Sequence, residues 1–257
     1  MEYQHIIFEK RDGVARVILN KPPLNVLDIA MMREINGVLE GLDRDPSVKV
    51  LVFEAVEGSK AFSAGVDVSE HTADKVDEMI KVFHQIFRLL DRLEIPTMAV
   101  VSGAALGGGC ELALFCDMVI ASEKASFGQP EIQVGVLPPI AVVALPEIIG
   151  PKKTMEMVLI GDRIKAHEAE RLGLVNKVVP PEELQTASVE FVDKLTKLSG
   201  AVLRLTKRTV RVGGVGSFED GLAAVEKVYL GPLMDTEDAH EGLAAFMEKR
   251  PPVWKDK

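Results

Sequence analysis

The sequence has little of what marks secreted, membrane-bound or nucleic-acid-binding proteins. Two cysteines among 257 residues are too few for a disulfide scaffold and fit a reducing compartment. Aromatic residues make up only 5% of the chain, which leaves few side chains on which bases could stack. The formal net charge is −9, which disfavours binding to nucleic acid or to an anionic membrane surface. We therefore expect neither kind of partner.

Long hydrophobic runs are also absent. The first 13 residues are polar and lack the apolar core of a signal peptide. The longest apolar run, near residues 134–145, is too short to cross a bilayer and is interrupted by Pro138 and Pro139. Hydrophobic residues make up 47% of the chain and charged residues 27%, as in globular domains. These observations predict a folded cytoplasmic protein without a membrane segment.

No spacing of histidine or cysteine is typical of a metal site. No two histidines stand four residues apart around a glutamate, and Cys110 and Cys116 are separated by five residues with no second pair. The chain also has no G-x-S-x-G nucleophile elbow and no Walker A loop. We expect no metal, and structural or surface roles for the five histidines, which are His5, His71, His84, His167 and His240.

Short apolar runs alternate with helical periodicity in the first two thirds of the chain. Asp12 and Gly13 favour a tight hairpin turn between the first two runs, and Asp28 is placed to cap the first helix. Residues 57–70 are small and polar and are expected to form a loop. Strands are predicted at residues 4–10, 14–19, 48–53, 97–101, 118–121 and 174–179.

Helical patterns predominate beyond Pro138. Helices are predicted from Asp28 onward and at residues 72–93, 110–115, 140–149, 152–160, 166–172, 181–198, 200–212, 218–229 and 236–249. Strands and helices that alternate in this way favour an α/β fold. We expect an α/β core over residues 1–195 and a helical region over residues 196–257.

A strand followed by glycines and a helix start is the first candidate for chemistry. Residues 103–109 read GAALGGG and lead into an apolar helix. Glycines allow close approach of a ligand, and free N–H groups at a helix start favour a phosphate or a developing oxyanion. The dinucleotide pattern G-x-G-x-x-G fails because Leu112 occupies its last position. A tight strand–helix corner without a ligand is the alternative.

Two glutamates in apolar surroundings are the second candidate. Glu111 lies in the apolar helix start CELALF, and Glu131 precedes the apolar residues 134–137. A carboxylate is costly to bury unless it is partnered or protonated. The two residues could form an acid/base pair, or each could cap a helix or form a local ion pair.

Three sequence blocks resemble the crotonase superfamily, the enoyl-CoA hydratase/isomerase family. They are residues 61–67 (AFSAGVD), 103–117 (GAALGGGCELALFCD) and 126–131 (SFGQPE), and the likeness extends over essentially the whole chain. The resemblance implies an α/β crotonase-like (ClpP/crotonase) spiral of ββα units. It also implies a C-terminal helical trimerisation region, and hence a homotrimer or a dimer of trimers.

The resemblance implies an acyl-CoA thioester substrate, with no cofactor apart from the CoA of the substrate. The backbone N–H groups of Val66 and Gly108 would bind the thioester oxygen. Glu111 would mainly activate water, and Glu131 would donate a proton. This pair is the pattern of a hydratase, which is a lyase. The alternatives are a Δ3,Δ2-enoyl-CoA isomerase on the same scaffold and a non-catalytic CoA- or RNA-binding member.

Further positions are assigned to substrate binding by similarity. Lys60, Phe246 and Lys249 are expected to contact the 3′-phosphate and adenine of CoA, the last two from a neighbouring subunit. Solvated surface lysines are the alternative. Asp67 is expected to be a structural hydrogen-bonding residue of the substrate loop rather than a catalyst. The complete substrate-binding set is Lys60, Ala64, Val66, Asp67, Gly107, Gly108, Pro138, Ile140, Phe246 and Lys249.

One segment departs from the family pattern. Many family hydratases have Pro-Gly-Ala-Gly-Gly-Thr after the second glutamate, where this chain has PPIAVV from Pro138 onward. Pro138 and Ile140 are therefore expected to line a rigid, apolar acyl pocket. The stretch LPPIAVVALPEIIG resembles cyclohexa-1,5-diene-1-carbonyl-CoA hydratases, which act in anaerobic degradation of aromatic compounds through benzoyl-CoA. A cyclic dienoyl-CoA is the expected substrate, and a short-chain enoyl-CoA is the alternative.

Overall fold

A computed structural model describes residues 3–43 and 45–257. In chain order its strands are β1 (Ile6–Arg11), β2 (Val14–Leu19), β3 (Val50–Ala55), β4 (Ala61–Ser63), β5 (Thr97–Val101), β6 (Ala104–Leu106), β7 (Met118–Ser122), β8 (Ser126–Gly128), β9 (Arg163–Lys165) and β10 (Lys177–Val179). The α-helices are α1 (Ile29–Leu42), α2 (Val76–Arg92), α3 (Gly108–Phe115), α4 (Ala141–Ile149), α5 (Pro151–Ile160), α6 (Ala166–Arg171), α7 (Leu184–Thr196), α8 (Gly200–Gly213), α9 (Phe218–Val228) and α10 (Glu237–Glu248).

Local signals place the N-terminal elements where they were predicted. Asp12 and Gly13 have φ angles of 52° and 80° and connect β1 to β2. Two successive residues with positive φ are what a type I′ hairpin turn requires. The side chain of Asp28 accepts the N–H of Met31 at 2.9 Å and caps α1.

The strands form two sheets, and from β3 to β8 consecutive strands alternate between them. The larger sheet has the order β1-β2-β3-β5-β7-β10, and all its pairs except β1 with β2 are parallel. The smaller sheet has the order β4-β6-β8-β9, with β4, β6 and β8 parallel. Each of the pairs β3 and β4, β5 and β6, and β7 and β8 therefore supplies one strand to each sheet and is followed by a helix, whereas β1 and β2 both lie in the larger sheet. This is the predicted spiral of ββα units.

The larger sheet is covered on both faces. One face packs with α1, α2 and α3 in the main hydrophobic cluster, and the other packs against α7 in a second cluster. Strands buried on both sides carry near-continuous apolar runs, which is why β3 could be recognised from the sequence. No helix of the described residues is long and apolar enough to cross a membrane.

The predicted loop at residues 57–70 contains β4 and a 3-10 turn at Val68–Glu70, and the glycine-rich turn contains β6. These strands have three residues each, too few for the alternation by which a strand is recognised.

The C-terminal helices are attached to the core by charged side chains. Lys207 of α8 is nearly buried, and its Nζ lies 2.6 Å from Asp117 Oδ2 and donates to the Ile95 carbonyl at 2.8 Å. Arg204 donates to the carbonyl oxygen of Val48 at 2.8 Å. These contacts connect α8 to the chain segments just before β3, β5 and β7.

Candidate active site

A cavity of about 740 Å³ opens between four parts of the fold. Its walls come from the loop after β4, the start of α3, one side of α2 and the segment that follows β8. Most of the lining is apolar. The lining side chains that can ionise or form hydrogen bonds are His71, Glu111, Glu131 and Gln133. No group of three or more His, Cys, Asp or Glu residues in the described part of the chain is arranged to hold a metal ion.

Two free backbone donors lie side by side in this cavity. A Cβ placed on Gly65 would lie 3.4 Å from the Gly108 nitrogen, and one placed on Gly108 would lie 2.8 Å from Val66 Cγ2. Within residues 3–43 and 45–257, neither the Val66 N–H nor the Gly108 N–H donates to a protein acceptor. Because Gly108 begins α3, the helix dipole adds to the two donors. The pair favours an oxygen that carries or develops negative charge.

Glu111 projects from α3 and is held by the start of α4. Its side chain is almost completely buried, with 1% of the residue exposed. Its Oε1 accepts the N–H groups of Ile140 and Ala141, both at 2.8 Å. The first N–H groups of a helix have no partner within the helix, so the carboxylate supplies the acceptor that α4 lacks.

Glu131 is held differently. It lies in the 3-10 segment Pro130–Val134, directly after β8. Its Oε2 is buried and has no hydrogen-bond partner among the described residues. Both glutamates line the cavity that also contains Val66 and Gly108, so two carboxyl groups and two free N–H groups face one space. This arrangement can bind a carbonyl oxygen and move protons beside it.

The sequence of residues 9–257 matches the family described as enoyl-CoA hydratase/isomerase. This chain belongs to the enoyl-CoA hydratase/isomerase family. A probable enoyl-CoA hydratase of Mycobacterium bovis is 38% identical to it over 256 residues, which cover 98% of each chain. A short-chain-enoyl-CoA hydratase of Clostridium acetobutylicum is 36% identical over 255 residues and 97% of each chain. A solved enoyl-CoA hydratase structure from Geobacillus kaustophilus matches with a TM-score of 0.92 and 36% identity, covering 100% of both chains.

These matches confirm the family and the crotonase fold expected from three sequence blocks. The relatives carry the names of enoyl-CoA hydratases, so the expected enzyme class, a lyase of this family, is confirmed as well. The matches span nearly the full length of the chain and of its relatives.

Burial raises the pKa of both glutamates in this hydratase/isomerase family member. The pKa of Glu111 rises to about 8, because burial disfavours its charge and Glu131 repels it, although the N–H groups of Ile140 and Ala141 oppose the rise. Burial raises the pKa of Glu131 to about 7. Near neutral pH, one carboxyl can therefore hold a proton while the other is ionised, as a general acid and a general base require.

The raised pKa of Glu111 predicts how stability depends on pH. The unfolded chain ionises this carboxyl near its ordinary value of 4.5, whereas the folded protein keeps it protonated up to about pH 8. Because the pKa of Glu111 is higher in the folded protein than in the unfolded chain, its protonated carboxyl contributes stability that is fully present below pH 4.5. This contribution is lost as the pH rises through 8. We therefore compare the free energy of unfolding of Glu111→Gln with that of wild type by urea denaturation at two pH values. We expect the difference, variant minus wild type, to be larger at pH 8.5 than at pH 5.

The matched control for this comparison is Glu190→Gln, on the exposed side of α7. Its stability relative to wild type should change little between the two pH values. An equal difference between Glu111→Gln and wild type at pH 5 and pH 8.5 would contradict the raised pKa.

Most of the predicted catalytic residues of this family member line the cavity. Ala64 and Gly107 line it together with the two donors and the two glutamates. Asp67 does not line it. The Asp67 side chain accepts the N–H of Ser69 at 2.9 Å and caps the short 3-10 turn, so this residue holds the shape of the substrate loop.

The wall after the second glutamate differs in detail from the sequence prediction. The cavity is lined by Leu137 and Pro139 rather than by Pro138 and Ile140. Pro138 is buried, and the Ile140 side chain packs against the main hydrophobic cluster while its N–H binds Glu111. Pro138 and Ile140 therefore turn toward the protein interior, while Leu137 and Pro139 face the cavity.

The expected CoA contacts lie outside the cavity of a single chain. Lys60 is exposed just before β4, and Lys249 follows the last residue of α10. Phe246, with 83% of its surface exposed, projects from α10. Their contact with CoA stays a prediction.

Several lining residues were not predicted from the sequence. The apolar stripe of Val76, Met79, Ile80 and Phe83 identified α2 as a helix, but the pattern does not say which part of the stripe faces a ligand. His71 lies in the wall, with its Nδ1 3.1 Å from the Asp67 carbonyl oxygen. The only sequence signal for His71 was its position five residues after Val66.

Proposed function

We propose that this protein adds water to the conjugated double bond of an acyl-CoA thioester. The observation that carries the proposal is the meeting of Glu111, Glu131 and the free N–H groups of Val66 and Gly108 around one cavity. A hydratase needs an oxyanion site and two groups that exchange protons with water and the α-carbon. A CoA-binding protein without catalysis has no need for two buried glutamates with raised pKa values.

The proposed mechanism begins with the thioester oxygen between the Val66 and Gly108 N–H groups. As water attacks the β-carbon, negative charge moves onto that oxygen and the α3 dipole stabilises the enolate. The two carboxyls are coupled and share one proton. In the reactive form Glu131 carries that proton, and Glu111, held through Oε1, takes the proton of the attacking water on its ionised Oε2. Glu131 then delivers a proton to the α-carbon. We propose that no cofactor takes part beyond the CoA of the substrate.

We further propose that the natural acyl group is cyclic and dienoic. Pro139 and Leu137 give the cavity a rigid, apolar wall, and Phe83, Met79 and Ile80 of α2 add further apolar surface to its lining. A flat ring loses little rotational entropy when it enters such a space. Resemblance of the surrounding sequence to cyclohexa-1,5-diene-1-carbonyl-CoA hydratases supports the same substrate. The relative from Clostridium acetobutylicum is named a short-chain-enoyl-CoA hydratase, which supports the alternative.

A direct comparison of two thioesters tests this proposal. We expect cyclohexa-1,5-diene-1-carbonyl-CoA to be hydrated with a kcat/KM at least about tenfold above that of crotonyl-CoA, or roughly 1.4 kcal/mol of discrimination. Both would be assayed with purified enzyme by chromatographic separation of each thioester from its water adduct. Equal values, or a preference for crotonyl-CoA, would assign the protein to the short-chain hydratases.

The same preparation tests the isomerase alternative. A 3-enoyl-CoA would be offered, and the product analysed for a shifted double bond or an added hydroxyl group. Double-bond shift without hydration of either conjugated thioester would contradict the proposed function.

We also propose that the helical C-terminal region joins copies of this chain into a trimer or a dimer of trimers. Large apolar side chains are exposed on its helices, including Val210, Phe218, Leu230, Phe246 and Met247. Apolar surface of this extent is typical of an interface between subunits. Light scattering of the purified protein would give the number of chains.

A further inference from the structure

The two glutamates of the cavity are positioned by different means. Glu111 is oriented by two backbone hydrogen bonds to Oε1. Glu131 has a buried Oε2 without a partner in the described part of the chain. Because this oxygen has no hydrogen bond to hold it, its position depends on the atoms packed against the carboxyl group.

Gly107 supplies such a contact. A Cβ placed on this glycine would lie 2.5 Å from Glu131 Oε1, 3.3 Å from its Cδ and 3.8 Å from its Oε2. The first distance is well inside the ~3.5 Å at which non-bonded heavy atoms meet. The carboxyl group of Glu131 therefore lies directly against the main chain at Gly107, in space that any other residue would fill.

The main chain at Gly107 cannot easily move away. Its N–H donates to the carbonyl oxygen of Gly128, at the end of β8, at 2.9 Å. Its own carbonyl oxygen accepts the N–H of Glu111, also at 2.9 Å. Gly107 is thus tied to the strand that precedes one glutamate and to the backbone of the other. A side chain at this position would displace the Glu131 carboxyl rather than the backbone.

We propose that Gly107 is a positioning residue, which holds the Glu131 carboxyl group in place for proton delivery. The absence of a side chain is its contribution, because the carboxyl group packs directly against the glycine main chain and this contact fixes its position in the cavity. The inference rests on the proposed hydration, because it assigns a geometric requirement to the second proton-transfer group. A displacement of about 1 Å at a reacting group can cost about 10²-fold in rate.

Kinetics of Gly107→Ala, made in wild type and in Glu131→Gln, test whether Gly107 positions the Glu131 carboxyl group. In the wild-type background, we expect kcat for hydration of the thioester substrate to fall at least about tenfold, because a displaced carboxyl group delivers its proton poorly. In the Glu131→Gln background, the same change should lower kcat less than about threefold, since the group it displaces no longer transfers a proton. An unchanged kcat in the wild-type background would overturn the proposal.

The second background also separates this effect from damage to the oxyanion site. Gly107 precedes Gly108, and its φ of 51° is strained for alanine whatever space is available. If the effect came through the Gly108 N–H, the fold-loss would be the same in both backgrounds, and the proposal would be wrong. Gly58→Ala is the matched control, because Gly58 has a φ of 82°, open space for a Cβ and no place in the cavity. It should keep kcat within about twofold of wild type.

A stability measurement covers the case in which Gly107→Ala folds poorly. Removing the carboxyl with Glu131→Ala makes room for the new methyl group. We expect Gly107→Ala to lower the midpoint of urea unfolding less in the Glu131→Ala background than in wild type. An equal loss of the unfolding midpoint in both backgrounds would mean that backbone strain alone requires glycine at position 107. That result would overturn the proposed positioning role. This measurement needs no substrate, so it stays decisive even if the wild-type enzyme hydrates no thioester and the proposed function fails.

Discussion

Glu111→Gln and Glu131→Gln should each lower kcat for hydration at least about 10²-fold, the lower end of what a general acid or base contributes. Glutamine cannot take a proton from water or hold one for the α-carbon near neutral pH. KM should change much less than kcat, because neither carboxyl binds the CoA part of the substrate in the proposed mechanism. Steady-state kinetics with the thioester that the enzyme hydrates would measure both kcat and KM.

The glutamine variants should remain folded. The amide oxygen of glutamine at position 111 can still accept the N–H groups of Ile140 and Ala141, and the side chain has nearly the same size. Circular dichroism would confirm the fold, and Glu190→Gln would control for loss of a surface charge. A Glu111 or Glu131 variant with near-wild-type hydration would remove that residue from the mechanism.

Gly108→Val should abolish measurable turnover, with a loss beyond the ~10²–10³-fold that follows removal of one oxyanion donor. The new Cβ would lie 2.8 Å from Val66 Cγ2 and 2.9 Å from Phe83 Cζ. Both neighbours must shift, and Val66 carries the second donor. The substitution therefore disturbs both halves of the oxyanion site. Single-turnover assays with excess enzyme would detect residual activity.

The same contacts also carry a cost in stability, because Phe83 belongs to the hydrophobic core. Unfolding would therefore be measured alongside turnover, and Gly37→Val would be the control. Gly37 lies in α1 with open space for a Cβ, so its variant should keep both fold and activity. A folded Gly108→Val protein with unchanged kcat would refute the oxyanion assignment.

Local sequence signals predicted the elements whose causes are local. The hairpin turn needs positive φ at Asp12 and Gly13, and the cap of α1 needs a side-chain acceptor at Asp28. β3 was recognisable because both its faces are buried. The strands of the smaller sheet could not be recognised, since each has three residues and is defined by its pairing with distant neighbours.

The candidate site was predictable in its parts but not in its contacts. Glu111 and Glu131 stood out because carboxylates are unusual beside apolar residues. That Glu111 caps α4 depends on a contact across 29 residues to Ile140, which no pattern in the sequence reports. The same is true of Gly107 and Glu131, whose contact arises only when β6 and β8 pair.

The alternation of strands between two sheets has an evolutionary consequence. Val66 follows β4, Gly108 follows β6 and Glu131 follows β8, so three successive repeats each contribute one chemical part at the same edge of the smaller sheet. The segments that follow these strands are separate parts of the chain, and the paired strands support all three. Mutations in one loop can exchange its chemical group while the paired strands hold the other two in place. One scaffold of this kind can acquire new reactions on thioesters stepwise, without rebuilding its oxyanion site each time.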